Sequence, residues 1–165
     1  MIIDSQDPLL HRPSIQVSEE QFSDYKNKLQ PIASLLVGTI FEKNALGISA
    51  CQIGIDMAMF AMLVDGNPKI CINPHIVAAS FNMELHKEGC LSFPDLYLNV
   101  RRPSGIMARY RNLEGQEITE KLDGLEARVW LHEYDHINGI CFTDRVGKLS
   151  LNMAKKRMTK KRKQK

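Results

Sequence analysis

A chain of 165 residues, 44% hydrophobic and 25% charged, has the length for one domain with a buried core and the mix of a globular protein. No apolar run reaches the roughly 18 residues of a membrane span, and the opening Met1-Ile2-Ile3-Asp4 lacks the basic-then-apolar order of a secretory signal, so a cytoplasmic location is expected. The net charge of +3 conceals an asymmetry: residues 155–165 hold eight basic residues and no acid, leaving 14 basic and 19 acidic residues elsewhere, a net of −5.

Residues 1 to 17, broken by Pro8 and Pro13, read as an extended lead-in. Ser18-Glu19-Glu20-Gln21 is a capping box that opens a helix. Phe22, Tyr25, Leu29, Ile32, Leu36 and Ile40 follow at spacings of three and four, the stripe of a core-packing helix that Pro31 should kink or split. Asn44 to Gly54 is small and apolar, with the amide of Gln52 inside it; such a backbone can lie close to another chain, and that amide reads first as a buried structural group.

Met57 to Val64 reads as a buried strand, followed by a turn at Asp65-Gly66-Asn67-Pro68. Short strands are expected over residues 69–72 and 76–79, parted by a turn at Asn73-Pro74, and again over residues 81–85. Glu88-Gly89-Cys90-Leu91-Ser92-Phe93-Pro94 then places a cysteine after a glycine; a lone free cysteine is most often a small buried apolar residue. Strands over residues 96–100, 106–111 and 117–122 complete the β-rich middle, the last two joined by a turn at Asn112-Leu113-Glu114-Gly115. Four cysteines without close pairing suit a reducing compartment rather than a disulfide framework.

His132-Glu133-Tyr134-Asp135-His136 is an H-E-x-x-H pentapeptide between Gly124 and Gly139, a helix start and stop. Residues four apart share a helix face, so His132 and His136 can grip one metal ion, with Glu133 beside it to take and return a proton. Leu125 and Val129 lie on the same face and could wall a dry pocket. A metal hydrolase site normally takes three protein ligands and leaves one position for water. Downstream, Phe142 stands where one metallopeptidase family places its last histidine, and no glutamate follows Glu133. The third ligand is therefore expected upstream, from Cys51, Cys71, Cys90 or His86, with Cys141 a weaker candidate.

Taken together, Gly47-Ile48-Ser49-Ala50-Cys51-Gln52, Glu88-Gly89-Cys90-Leu91-Ser92 and the pentapeptide resemble, in order and spacing, the three signature motifs of the peptide deformylase family. Asp7-Pro8-Leu9-Leu10, Arg102-Pro103, Gly139 and Asp144-Arg145 also fit, so the resemblance runs roughly over residues 5 to 147. It implies that Cys90, His132 and His136 bind the metal, iron(II) natively, with zinc or nickel able to replace it. It implies that Glu133 moves the proton from water to the leaving amine. The oxyanion would be held by the metal, the Gln52 amide and the Leu91 peptide N–H. Leu46, Gly47 and Gly89 would meet the substrate backbone as an added strand, while Leu125, Val129 and His86 line a methionine pocket. Glu88 and Arg102 could pair and brace the cysteine loop. Three residues depart from the family pattern, Ala45, Ser49 and Leu131; none removes a ligand or a catalytic group.

The resemblance implies an enzyme that removes the N-formyl group from N-formylmethionyl nascent peptides, releasing formate. It also implies an α+β fold: short, mostly antiparallel strands around a central motif-bearing helix, with the N-terminal helix outside. Residues 1–154 would form the catalytic domain, in a chain taken as a monomer. Residues 155–165 would be a disordered basic tail able to meet ribosomal RNA by counterion release. Two other readings compete: a zincin-like metallopeptidase, and a non-catalytic module whose metal is closed off by four ligands.

Overall fold

The computed structural model describes residues 1–162. Seven strands are present: β1 (Gly47–Ser49), β2 (Met59–Val64), β3 (Asn67–Ala79), β4 (Met83–Cys90), β5 (Phe93–Pro103), β6 (Gly105–Arg111) and β7 (Glu117–Asp123). Five of them form a sheet in the order β1-β2-β3-β6-β7, and β4 pairs with β5 in a separate two-stranded sheet. Every pairing is antiparallel. The fold is α+β, as expected, with the β4–β5 hairpin inserted between β3 and β6 as a sheet of its own.

The N-terminal helical stretch is split into α1 (Glu19–Ser23), α2 (Tyr25–Lys28) and α3 (Gln30–Lys43). Ser18 and Gln21 close the capping box, Ser18 N–H donating to Gln21 Oε1 at 2.9 Å. The breaks fall at Asp24 and Leu29, ahead of Pro31, which sits in the first turn of α3 where its missing N–H costs nothing. Ala33, Leu36 and Ile40 of α3 are buried against Met59 and Ala61 of β2. Alternate β2 residues, Phe60 and Met62, face the opposite way, onto Ala127, Trp130 and Leu131 of α4 (Gly124–Ile137). The sheet is thus covered on both faces, which is why β2 is apolar throughout rather than alternating.

Two expected strands at residues 69–72 and 76–79 are one strand, β3, carrying a register shift between Ile72 and His75. Asn73 sits there at φ 50, and its side-chain amide bonds both main-chain groups of Val17, at 2.8 and 2.9 Å. The Asn-Pro pair makes a bulge instead of a turn because that lead-in segment satisfies what the ladder loses.

The C-terminal basic stretch was expected to be irregular from residue 155. Through Arg162 it is instead helix α5 (Lys148–Arg162), and Ala154 lies inside that helix rather than at a boundary. Leu151, Ala154 and Met158, spaced three and four apart, seat α5 on Leu96, Leu98, Val100 and Phe142. The expected tail runs to residue 165, and residues 163–165 lie outside the described residues. Among the described residues, no helix is long and apolar enough to cross a membrane.

Candidate active site

The motif helix α4 lies between the two sheets, touching β1, β2, β6 and β7 of one and β5 of the other. Trp130 stacks on Tyr134 and meets Phe60 edge-on, centroids 4.9 and 5.7 Å apart, so the sheet side of the helix is firmly packed. The opposite side carries His132 and His136, whose ring centroids are 5.1 Å apart. β4 and β5 form a tight hairpin, with a register shift at its end between Gly89 and Cys90. That irregularity turns Cys90 toward the helix. Sγ of Cys90 lies 3.3 Å from His136 Nε2, and one donor atom from each of Cys90, His132 and His136 falls within 4.8 Å of the others. Of the other candidates for a third ligand, Cys51 and Cys71 are buried in other clusters, and Cys141 packs with Leu10. Phe142, at the position where one metallopeptidase family has histidine, sets its ring 5.8 Å from that of His132, as a packing partner.

Glu88 orients the first imidazole. Its Oε2 accepts from His132 Nδ1 at 3.0 Å, which leaves Nε2 for the cluster. The same carboxylate accepts from Arg102 Nε and Nη2 at 2.7 and 2.9 Å, and from Arg128 Nη1 at 2.7 Å. Burial works to raise its pKa, but the hydrogen bonds from His132 and Arg102 outweigh that and hold it at about 2. Arg102 Nη1 continues to Asp135 Oδ2 at 2.8 Å, and Arg145 Nε meets the same oxygen at 3.0 Å. A chain of alternating charge, Arg128–Glu88–Arg102–Asp135–Arg145, therefore runs behind the histidines, so no carboxylate in it is buried without a cation. His136 has no such support: its Nδ1 is buried without a partner among the described residues.

Glu133 is buried, and burial raises its carboxyl above the usual range, opposed by the charge of His132 and a hydrogen bond from Ser49. Gln52 lies in the short 3₁₀ turn after β1, and its Nε2 is 3.3 Å from Cys90 Sγ. Its Oε1 accepts the Ser49 peptide N–H at 2.9 Å, which fixes the amide with its NH₂ toward the cluster. A cavity of about 540 Å³ opens beside these groups. Leu46, Gly47, Gly89, Leu91, Leu125 and Val129 all line it, together with Gln52, Cys90, His132 and Glu133. A Cβ on Gly47 would stand 2.8 Å from Glu133 Oε1 and 2.9 Å from Val129 Cγ1, so only glycine lets β1 lie this close to the helix.

His86 is the exception to the expected set. It is absent from the cavity wall, exposed, with its ring 3.3 Å from Glu84 Oε2. Arg128 supplies that part of the wall, reaching from Glu84 O at 2.9 Å to Glu88 Oε1. Sequence reasoning missed Arg128, though an arginine one helical turn before His132, within an otherwise apolar face, was a readable signal.

One soft thiolate and two imidazoles, converging beside a cavity, suit a transition metal and leave room for a fourth, non-protein ligand. Among the described residues no fourth protein ligand completes the group, which argues against a closed structural site.

The polypeptide deformylase family model matches residues 1–152. A peptide deformylase of Thermotoga neapolitana is 33% identical over 152 residues, 92% of this chain and 90% of that one. The structure of a Synechococcus elongatus peptide deformylase in complex with actinonin superposes with a TM-score of 0.88 at 31% identity, covering 96% of this chain and 85% of that one. The Met-Ala-Ser-bound peptide deformylase of Acinetobacter baumannii superposes with a TM-score of 0.83 at 29% identity, covering 88% and 97%.

Proposed function

The chain belongs to the peptide deformylase family, and from that premise we propose how its own residues divide the work. The enzyme is a metal-dependent hydrolase that removes the formyl group from the N-terminal methionine of nascent polypeptides and releases formate. The observation that carries the site assignment is the convergence of Cys90, His132 and His136 within 4.8 Å.

We assign these three residues as the metal ligands. An ion held by them would supply Lewis acidity toward the water and the formyl carbonyl. Iron(II) is the proposed native ion, with zinc or nickel as substitutes; the soft S,N,N donor set supports this group over magnesium or calcium. Glu133, whose carboxyl burial pushes above the usual range, takes the proton of the attacking water and delivers it to the departing amine. The Gln52 Nε2–H₂ and the Leu91 N–H stabilise the oxyanion that forms on the formyl oxygen. Loss of one such donor typically slows turnover about a hundredfold or more. The short edge strand β1, with Leu46 before it, and Gly89 of β4 bracket the substrate backbone. Leu125 and Val129 face the unbranched methionine side chain. Arg128 takes the wall position once expected of His86.

The ligands and the cavity come from one chain, so a monomer suffices for the chemistry. We propose a cytoplasmic location, in keeping with a substrate that is a nascent chain. The basic face of α5 adds a further proposed contact, with the phosphate-rich surface of the ribosome. Replacing exposed Lys155, Lys156 and Lys160 with glutamine should weaken ribosome binding at low salt and flatten its salt dependence by about one logarithmic unit per lysine. Unchanged affinity would remove that contact from the proposal.

Formate release from formyl-Met-Ala-Ser, with Glu133→Ala as control, tests the whole assignment. Turnover in the wild type, none in the variant and no cleavage of unformylated peptide is the expected result. Cleavage of unformylated peptide would favour the metallopeptidase reading instead.

A further inference from the structure

We propose that the Ser49 hydroxyl is a positioning residue for the proton carrier, anchoring one oxygen of Glu133 so that the other stays turned to the cavity. The inference rests on the assignment of Glu133 made above. Ser49 ends β1 and is wholly buried. Its Oγ lies 2.7 Å from Glu133 Oε2 and 3.2 Å from the Glu133 carbonyl oxygen. A hydroxyl has one proton to give, and the nearer, charged acceptor takes it. This is the only hydrogen bond the carboxylate makes among the described residues.

The two carboxylate oxygens are thereby made unequal. Oε2 is tied to the end of β1. Oε1 faces the cavity-lining Gly47, close to where a Cβ there would stand. The terminal torsion of a glutamate is soft and roughly two-fold, so an untethered carboxylate would sample orientations that present neither oxygen well. A misplacement of about 1 Å at such a group can slow turnover by up to about a hundredfold. The hydroxyl removes that freedom without occupying the oxygen that faces the substrate.

The main chain of Ser49 does a separate job, because its N–H holds Gln52 Oε1. That bond does not use the hydroxyl, although the Ser49 side chain also faces the Gln52 peptide N–H in a capping box, so Ser49→Cys, which keeps an acceptor there, is the cleaner variant. Ser49 is also one of the three positions where this chain leaves the family pattern, which marks the tether as a property of this chain.

The test compares metal-loaded wild type, Ser49→Ala, Ser49→Cys and Glu133→Gln on formyl-Met-Ala-Ser. Ser49→Cys fills the same space with a poorer donor, so it reports even if the alanine variant fails to fold. Both Ser49 variants should lose about tenfold in kcat, with KM and bound metal per chain unchanged. A merely structural role would instead move KM or metal content, and either result overturns the proposal. Wild-type kcat in Ser49→Cys with little turnover in Glu133→Gln removes the tether alone. Wild-type kcat in Glu133→Gln removes the premise, the role of Glu133 itself.

Discussion

Glu88 makes no contact with substrate in the proposed chemistry, yet three side chains depend on it. Replacing it with glutamine should weaken metal affinity by about 10- to 100-fold, because His132 loses the carboxylate that fixes its ring; competition against a calibrated chelator measures this. The same residue predicts a pH effect. Its folded pKa, about 2, lies below the ordinary glutamate value. Its contribution to stability is therefore complete above a pH of about 4.5 and is lost as pH falls toward 2. Urea unfolding of chelator-treated protein at pH 5 and pH 3 should show a larger loss for wild type than for Glu88→Gln. Gly47 makes the complementary case of a residue defined by what it lacks. A methyl there meets Glu133 and Val129 inside 3 Å, so Gly47→Ala should lose about 1–3 kcal/mol of stability and lower kcat with it.

At the scale of elements, the end of α4 shows how a helix is fixed from a distance. Gly139 follows it at φ 71, and a Cβ there would stand 2.5 Å from the main chain of Arg12. Ser14 N–H bonds the Ile137 carbonyl at 2.9 Å, so the lead-in segment closes the helix end. Gly139→Ala combines a left-handed backbone with a main-chain clash. It should destabilise by about 1–3 kcal/mol or more, read as a drop in Tm. The helix and its glycine stop were legible, because helical spacing and a C-terminal glycine are local signals. The covering segment was not legible as such: nothing in residues 1–17 announces where they lie. The same blindness explains β3, where Asn73-Pro74 reads as a turn until Val17 is seen to satisfy the asparagine. It explains α5 too, since its seven cations outweigh Leu151, Ala154 and Met158 in composition but not in packing.

For the whole molecule, the proposed ligands Cys90, His132 and His136 span the helix and the β4–β5 hairpin, so binding an ion should stabilise the fold as well as activate it. Chelation should abolish formate release and lower Tm by several degrees, and adding iron(II) or zinc should restore both. A protein that keeps its Tm on chelation would place the ion outside the structural framework.

Some of this molecule was written into short stretches. Two histidines four apart must share a helix face, and a serine three before a glutamine caps a helix, because covalent geometry alone sets those distances. The likeness of three motifs to a family extended that reach to Cys90, Gln52 and Leu91. What only the folded chain decided is which distant groups touch: Ser49 on Glu133, Arg128 on Glu88, and His86 turned away to Glu84. Such contacts depend on how sheets and helices pack across many intervening residues, and no local spacing encodes them.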